Sequence, residues 1–326
     1  MNNFQKYIQR VLDTRAERID ADHNEALRLF SGFYEGFPDL IVDLYGQTLV
    51  LFNYGESGDI LDAAQNFLLE KLPWISCVIQ KERDNPDASL RRGRVTFGET
   101  PTDRISEHGI WYALDLLMNQ DASFYLDTRG LRKWMLDHAA GRRVLNTFAY
   151  TGSLGVAALA GGADYVLQTD LKRKFLELAR RSAMLNRLDL GKMKTQTNDF
   201  FSQVAQLKRK GELFDCVILD PPFFSTTQKG SIDLANESTR LINKVRPLVA
   251  DGGYLVAINN ALFLSGKEYL ASLEALCADG YLSIETLIPI PEDSTGFPDT
   301  IINTPPTDPA PFNHPTKIAI IRIRRK

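Results

Sequence analysis

The chain has 326 residues, of which 44% are hydrophobic, 24% charged and 10% aromatic, and its formal net charge is −3. This composition is typical of globular proteins and excludes a disordered chain, and the length allows two domains. The small acidic excess argues against a surface that binds nucleic acid throughout. Phosphate contacts would have to come from local basic clusters.

The sequence gives no indication of a membrane protein, a secreted protein or a metal site. No apolar stretch approaches the roughly 20 residues that cross a bilayer, and residues 1–20 lack the apolar core of a signal peptide. Neither the three cysteines nor the four histidines have the spacing of metal ligands or of a disulfide framework. We therefore expect a cytoplasmic protein with reduced thiols and no metal.

The first part of the chain predicts a helix followed by a small α+β domain. From residue 27, short apolar alternations broken by Gly and Pro predict strands, with one helix over 60–72. We place the domain at 26–118 and the preceding helical segment at 1–25. The apolar residues that recur at helical spacing in that segment are Phe4, Ile8, Val11 and Leu12.

The remainder, residues 119–326, alternates short β-rich segments with helical ones. This alternation predicts an α/β fold, a Rossmann-like, doubly wound parallel sheet with helices on both faces. The last two β-rich segments have no convincing helix between them, so we expect the final strand to insert antiparallel. The seven β-rich segments are VLNTFAY, DYVLQTD, KTQTND, FDCVILD, GGYLVAIN, SIETLIPI and TKIAIIRIR.

A glycine-containing turn follows the first of these strands. In VLNTFAYTGSLGVAALA, Gly152 and Gly155 stand between the strand and a helix, where backbone N–H groups would face a bound ligand. The spacing differs from G-x-G-x-x-G because Tyr150 occupies the position of the first glycine. An alternative explanation is that both glycines only permit close packing.

Polar residues end the second and third strands. Asp170 ends the second, where a carboxylate can accept hydrogen bonds from two ribose hydroxyls, and Asn198 and Asp199 end the third. Because parallel strands end at one edge, these residues predict a crevice for an adenosine. Alternatively, Asp170 only caps a helix that begins at Leu171.

The fourth strand leads into the sequence DPPFF (220–224). Its two prolines fix the backbone and remove two N–H donors, so carbonyls and the Asp220 carboxylate remain as acceptors. Such acceptors suit the amine or amide edge of a planar substrate, on which an aromatic ring can stack. Alternatively, the prolines only form a rigid turn and the phenylalanines belong to the core.

These motifs carry a family resemblance. NTFAYTG, Asp170, NDF, DPPFF and INN resemble, in order, the class I S-adenosylmethionine-dependent methyltransferases. More narrowly, they resemble the large-subunit ribosomal RNA methyltransferases, which include cytosine-C5 and guanine-N7 enzymes. SFYLDTRGLR (123–132) and GFPDLIVDLYG (36–46) extend the resemblance to about residues 30–326. The combination is specific, whereas any single motif is not.

The resemblance implies S-adenosylmethionine as cofactor and assigns residues to it. Tyr150, Thr151 and Gly152 would lie against its methionine part, Asp170 would bind its ribose, and Asn198 and Asp199 would lie beside its adenine. The remaining residues that we assign to the cofactor are Phe148 and Leu171, with Asp127 and Arg129 near the entrance.

The resemblance also implies a catalytic set of Asp220, Pro221, Phe223 and Phe224 facing the target base. Related amine methyltransferases stack the base on the residue after the second proline, here Phe223. This family tends to use the next residue, here Phe224.

Two departures from the family pattern affect the predicted substrate. The chain has only a short helix where related proteins often begin with an RNA-binding PUA-type domain. In addition, the loop after the fifth strand reads INNAL, where cytosine-C5 enzymes place a nucleophilic cysteine. Cysteines 77, 216 and 277 lie in apolar patterns, so we expect no cytosine-C5 chemistry. Asn259 and Asn260 resemble the guanine-N7 branch and are assigned to substrate, although plain turn residues would look the same.

Clusters of basic residues are the candidate RNA contacts. Our preferred one is Arg91, Arg92 and Arg94, because Gly93 suggests an exposed hairpin in the small domain. Each cluster has the alternative explanation of a solvated charged face. The other clusters are Lys172-Arg173-Lys174, Lys208-Arg209-Lys210 and Arg322 to Lys326.

We therefore expect an S-adenosylmethionine-dependent methyltransferase that acts on a nitrogen of a base in ribosomal RNA, guanine favoured. The competing hypotheses are a nicotinamide-dependent oxidoreductase, a methyltransferase with a small-molecule or protein acceptor, and a non-catalytic RNA-binding protein. The sequence also leaves a homodimer open.

Overall fold

The computed structural model describes residues 3–55, 59–227 and 229–325. They divide into two compact units. Unit 1 comprises Met1–Asp127 and Pro291–Thr304, and unit 2 comprises Thr128–Ile290 and Pro305–Lys326. The predicted division at residue 118 is therefore replaced by one at residue 127, and a segment distant in sequence joins unit 1.

Unit 1 is built on a five-stranded mixed sheet of order β1-β2-β3-β4-β5, with β6 and β7 forming a separate two-stranded ribbon. Only β3 and β4 pair in parallel, across the connection through α3. Its strands are β1 (Ala26–Ser31), β2 (Leu40–Tyr45), β3 (Thr48–Asn53), β4 (Cys77–Glu82), β5 (Arg94–Phe97), β6 (Arg104–Glu107) and β7 (Ile110–Ala113). Its helices are α1 (Asn3–Arg15), α2 (Gly32–Glu35), α3 (Asp59–Lys71) and α4 (Ala88–Arg92), with a short helix at Glu292–Thr295.

Helix α1 is part of unit 1 rather than a separate N-terminal segment. Its residues Ile8, Val11 and Leu12 are buried in the core of this unit, and the Phe4 side chain lies outside the described residues. At its end, the fully buried Arg15 makes a bidentate ion pair with Glu35, at 3.0 and 3.1 Å.

The segment 291–304 is held to unit 1 by polar contacts. The Arg15 guanidinium donates to the carbonyl of Asp293 at 3.2 Å, and the Asp293 carboxylate accepts from the backbone N–H of Arg28 at 3.0 Å. These partners lie more than 260 positions apart in sequence. Local sequence patterns therefore could not indicate that this segment belongs to unit 1.

Unit 2 contains the predicted seven-stranded sheet, with order β10-β9-β8-β11-β14-β16-β15. The first five strands are parallel, and β16 inserts antiparallel between β14 and β15 as expected. Its strands are β8 (Arg143–Asn146), β9 (Tyr165–Asp170), β10 (Met193–Thr197), β11 (Phe214–Leu219), β12 (Phe224–Thr227), β13 (Gly230–Asp233), β14 (Val249–Asn259), β15 (Leu282–Ile288) and β16 (Lys317–Ile323). Its helices are α5 (Arg129–His138), α6 (Ser153–Ala160), α7 (Arg173–Leu185), α8 (Phe200–Arg209), α9 (Leu234–Val245) and α10 (Gly266–Cys277).

Helices cover both faces of this sheet. Successive strand residues point to opposite faces, so Leu145 packs in one buried cluster with α8, α9 and α10, while Val144 packs in the other with α5, α6 and α7. The predicted Rossmann-like, doubly wound fold is confirmed. The hairpin of β12 and β13 was not anticipated from the sequence.

Candidate active site

The carboxyl ends of the parallel strands bring the predicted site residues of unit 2 to one edge of its sheet. The strand order reverses between β8 and β11, which are neighbours although they are first and fourth in sequence. Ligands bind at such a reversal in open α/β sheets. The loops after β8, β9, β10, β11 and β14 all begin at this edge.

The loop after β8 has an unusual backbone. Tyr150 has a φ of 50° and Gly152 a φ of 78°, and Gly152 is the N-cap of α6. A positive φ is rare for a bulky residue such as tyrosine and is held by surrounding contacts. The Tyr150 N–H donates to the Asp170 carboxylate at 2.9 Å, and its ring packs edge-on against Phe175. The loop is therefore locked onto the end of β9.

Close packing accounts for both glycines of this turn. A Cβ at Gly152 would lie 2.4 Å from the Ala179 Cβ, and one at Gly155 would lie 2.4 Å from the Cδ of Gln168. Gly152 also needs its positive φ. The packing explanation is thus sufficient for Gly155, and ligand approach at Gly152 stays a prediction.

Asp170 is half-buried and holds two turns at once. Its two oxygens accept from the N–H of Tyr150 and of Lys172, each at 2.9 Å. Burial raises the pKa of Asp170, and these backbone hydrogen bonds oppose that rise. Helix α7 begins at Arg173 with Lys172 as N-cap, so the alternative that Asp170 caps a helix beginning at Leu171 is wrong. Each carboxylate oxygen can accept a second hydrogen bond, which fits a ribose diol.

Leu171 follows this carboxylate and is 56% exposed. Its predicted contact with the cofactor stays a prediction, as does the binding of ribose by Asp170. The predicted residue Phe148 lies in the loop after β8, where its ring stacks on Phe200 of α8 with centroids 4.6 Å apart.

Asn198 and Asp199 make hydrogen bonds within the protein. One oxygen of Asp199 caps α8 by accepting from the N–H groups of Phe201 and Ser202. The Asn198 amide donates to Gln203 at 2.8 Å and accepts from the N–H of Asp199 at 2.9 Å. These bonds fix the loop shape, and the adenine contact stays a prediction.

Sequence analysis did not identify Thr147, which joins the loop after β8 to β11. Its N–H and its hydroxyl both donate to the carbonyl of Ile218, at 3.1 and 2.8 Å, and its own carbonyl accepts from the Thr169 hydroxyl at 3.0 Å. Thr147 and Thr169 are buried. Each follows an apolar strand segment and a buried amide side chain, Asn146 or Gln168, and this run of polar residues at a strand end is the sequence feature that could have identified both.

The DPPFF segment presents aromatic rings to solvent. Pro221 is buried and Asp220 half-buried, whereas Phe223 and Phe224 are 49% and 65% exposed. The Phe223 carbonyl accepts from the N–H of Leu234 at 3.0 Å, and Phe224 begins the β12–β13 hairpin. The alternative that these phenylalanines belong to the core is therefore wrong.

The two asparagines predicted to bind substrate, Asn259 and Asn260, lie in different environments at the end of β14. Asn259 is fully buried, its amide donating to the carbonyl of Leu234 at 3.2 Å and accepting from the N–H of Ala261 at 2.9 Å. Its assignment to the substrate is corrected, because both ends of its amide bind the protein's own backbone. Asn260 is exposed at the same edge.

The two predicted entrance residues fall in different units. Asp127 lies at the end of a unit 1 segment and lines a cavity of about 140 Å³ together with Arg28, Tyr54 and Arg83. Arg129 is the first residue of α5 in unit 2.

The preferred basic cluster differs from the prediction. Arg91 and Arg92 lie in α4, and Gly93, with φ 99°, ends that helix instead of turning a hairpin. The hairpin prediction is wrong because a glycine with a positive φ can end a helix as well as turn a hairpin. The Arg91 guanidinium donates to the carbonyls of Asn85 and Pro86, while Arg92 and Arg94 are exposed.

The C-terminal cluster is largely structural. Arg322 makes a bidentate pair with Glu285 and lies 3.9 Å from the Tyr254 ring centroid, and Arg325 donates to the carbonyls of Pro247 and Val249. Lys326 lies outside the described residues. The clusters at 172–174 and 208–210 are exposed.

None of the three cysteines is suited to nucleophilic attack. Burial raises the pKa of the Cys216 thiol to about 12 and also raises the pKa of Cys77 and Cys277. Because the thiolate is the reactive form, a raised pKa lowers the reactivity of a thiol. Within 3–55, 59–227 and 229–325, no cluster of metal-binding side chains occurs, and no helix is long and apolar enough to cross a membrane.

Comparisons with known proteins agree with this geometry. A family model described as S-adenosylmethionine-dependent methyltransferase matches residues 76–302. The chain is 31% identical to ribosomal RNA large subunit methyltransferase I of Aeromonas salmonicida over 266 residues, which are 78% of this chain and 65% of that protein. It is 30% identical to the Escherichia coli O139:H28 protein of the same name, covering 78% of this chain and 66% of that one. The chain thus spans just under two thirds of the length of these relatives.

Solved structures share the fold. The crystal structure of SMU.776 complexed with SAH superimposes with a TM-score of 0.86 at 23% identity, covering 98% of this chain and 81% of that one. A SAM-dependent methyltransferase from Agrobacterium tumefaciens gives a TM-score of 0.65 at 17% identity, covering 93% and 91%. Since the family model spans more than half of the sequence, this chain belongs to the S-adenosylmethionine-dependent methyltransferases, and S-adenosylmethionine is its cofactor.

Proposed function

We propose that this methyltransferase modifies a nitrogen of a base in ribosomal RNA, with guanine favoured, and that it works in the cytoplasm. The names of its relatives, which are ribosomal RNA large subunit methyltransferases, support the RNA class. The oxidoreductase hypothesis is excluded by the family.

The observation that carries this proposal is the pair of exposed rings directly after Asp220. Phe223 and Phe224 are 49% and 65% exposed at the strand reversal where the cofactor loop also begins. Two exposed phenylalanines give up the free energy that burial of their rings would provide, so a planar partner that covers them explains their presence. The Asp220 carboxylate and the Pro221 carbonyl are acceptors for the amine edge of that partner.

The chemistry of the thiols supports nitrogen over carbon as the acceptor atom. Methylation at C5 of a pyrimidine needs a thiolate that first adds to the ring. Cys77, Cys216 and Cys277 have raised pKa values and lie within β4, β11 and α10. A nitrogen lone pair, in contrast, needs no such addition.

In this mechanism the protein mainly aligns the reacting groups. S-adenosylmethionine, when bound, supplies a methyl group already activated by the positive sulfonium. The Asp170 carboxylate accepts from the N–H of Tyr150 and so holds that loop. The same carboxylate would accept from the ribose hydroxyls. Asp220 would accept from the amine edge of the base while an adjacent ring stacks on its face. Guanine N7 loses no proton on methylation, so these positioning contacts suffice, and a base in a helix must first be flipped out.

Labelled-methyl transfer to ribosomal RNA from cells lacking the gene tests the proposal. We expect incorporation at one nucleotide by the wild type, and a loss of roughly a hundredfold or more in kcat for Asp220→Ala with nearly unchanged cofactor affinity. The control is Asp164→Asn, an exposed carboxylate just before β9 at the opposite edge. Full turnover by Asp220→Ala would refute the assigned role.

The remaining alternatives give different results in the same assay. Binding of cofactor and RNA without any transfer would indicate a non-catalytic RNA-binding protein. Transfer to a protein or small-molecule fraction alone would indicate a non-RNA acceptor. The homodimer stays a prediction that analytical ultracentrifugation tests.

A further inference from the structure

A largely exposed aromatic ring lies in the loop after β14. Phe263 is 74% exposed, and it and Phe224, at 65%, are the two most exposed large apolar residues in the described part of the chain. Both residues follow strands that are neighbours in the sheet, β11 and β14, so a single binding partner can explain the exposure of both.

The strand register places both rings at one edge. Strands β11 and β14 pair in parallel, with Leu219 opposite Ala257. The strands end at Leu219 and Asn259, so Phe224 lies five residues and Phe263 four residues past the ends of adjacent strands. Neighbouring strands lie about 4.8 Å apart, so the two loops leave the sheet side by side.

The loop that carries Phe263 is anchored although its ring is exposed. Ala261 is fully buried, and its carbonyl accepts from the ammonium of the buried Lys317 at 3.0 Å. The carbonyl of the next residue, Leu262, accepts from the Thr307 hydroxyl at 2.6 Å. A loop fixed on both of these carbonyls presents its ring at little cost in conformational entropy, as a preformed binding surface does.

We propose that Phe263 stacks on an unpaired base of the RNA substrate, next to the base that stacks on the DPPFF segment. This proposal rests on the proposed function. Base–aromatic stacking tolerates any sequence because every base has a π face, and a flipped or single-stranded target leaves its neighbour unpaired. Phe263 would thus position RNA, while methyl transfer itself depends on Asp220 and the cofactor.

Steady-state methyl transfer by Phe263 variants tests this inference. Stacking contributes enough per base that we expect KM for ribosomal RNA to rise by between about fivefold and a hundredfold in Phe263→Ala, with kcat and cofactor affinity nearly unchanged. Phe263→Leu should behave like Phe263→Ala, because leucine is apolar without a planar face, and Phe263→Trp should restore the wild-type KM. The matched control is Met184→Ala, 62% exposed near the end of α7, at the opposite edge of the sheet.

A binding experiment provides a direct readout. Quenching of 2-aminopurine in a single-stranded RNA oligonucleotide reports stacking, and we expect wild type and Phe263→Trp to quench it and Phe263→Ala to quench it less. An unchanged KM in Phe263→Ala, rescue by leucine, or an effect on cofactor affinity would each overturn the inference. Absence of methyl transfer by the wild type would instead refute the proposed function.

Discussion

Gly155 provides a test of whether the glycines of the cofactor turn are required by packing. A Cβ at this position would lie 2.4 Å from the Cδ and 2.5 Å from the Oε1 of Gln168, far inside ordinary contact distance. Gln168 is fully buried and cannot move away freely, because its amide accepts from Asn146 and donates to the Met193 sulfur.

The size of the effect follows from two opposing terms. Overpacking a buried site costs about 1–3 kcal/mol. Replacing glycine by alanine in a helix gains up to about 1 kcal/mol in helix propensity. With the full offset, Gly155→Ala should lower the free energy of unfolding by up to about 2 kcal/mol. In a Gln168→Ala background the clash is absent, so the same substitution should raise stability by up to about 1 kcal/mol.

Urea denaturation of the four proteins in this double-mutant cycle measures the coupling. Gly130→Ala in the first turn of α5 is the control, because its nearest atoms, at 3.1 and 3.2 Å, belong to Pro289 and Ile288. Its effect should be the same with and without Gln168. If Gly155→Ala were equally destabilising in both backgrounds, close packing against Gln168 would not be the reason for the glycine.

Three further perturbations test other parts of the molecule. Thr147→Val removes the hydroxyl that donates to Ile218, and we expect a loss of about 1 kcal/mol in urea denaturation with a lower kcat for methyl transfer. Burial lowers the pKa of Lys317 to about 8, so between this pKa and the unfolded value near 10.5 the unfolded state binds more protons and stability rises with pH. From pH 7 to pH 10, the free energy of unfolding of the wild type should accordingly rise by up to about 3 kcal/mol relative to that of Lys317→Met. A difference that does not change with pH would refute the lowered pKa of Lys317. Replacing the exposed Arg92 and Arg94 by Ala should reduce the slope of log affinity for RNA against log salt by roughly 0.7–0.9 per phosphate contact, and an unchanged slope would remove unit 1 from the RNA site.

The strands and helices of unit 2 could be predicted because their patterns are local. Apolar runs separated by amphipathic segments specify a buried parallel sheet, and the Gly152 turn lies where a strand meets a helix. The exposure of Phe224 was predictable only in part, since a phenylalanine after a strand is more often buried. Its position after the fourth strand, opposite the glycine-containing turn, and the resemblance to a family both favoured its exposure.

Predictions failed where a residue's role depends on partners distant in sequence. Asn259 is of a residue type that is common in turns and in binding sites, but its amide donates to the carbonyl of Leu234, 25 positions earlier. In the same way, Pro291–Thr304 joins unit 1 through Arg15, 278 positions from Asp293. Neither partner can be inferred from periodicity or turn chemistry.

Thr147 links the loop after β8, which is our predicted cofactor loop, to the strand that leads into the DPPFF segment. Its two hydrogen bonds to the carbonyl of Ile218 fasten the start of the β8 loop to β11, two residues before Asp220. The same loop is tied at Tyr150 to Asp170. A displacement at either of these hydrogen bonds would move the loop relative to the acceptor groups of the DPPFF segment. In-line methyl transfer depends on alignment of the reacting atoms within a fraction of an ångström. We therefore expect the buried threonine to keep the loop after β8 aligned with the acceptor groups after β11, and we expect Thr147→Val to lower kcat more than it weakens binding.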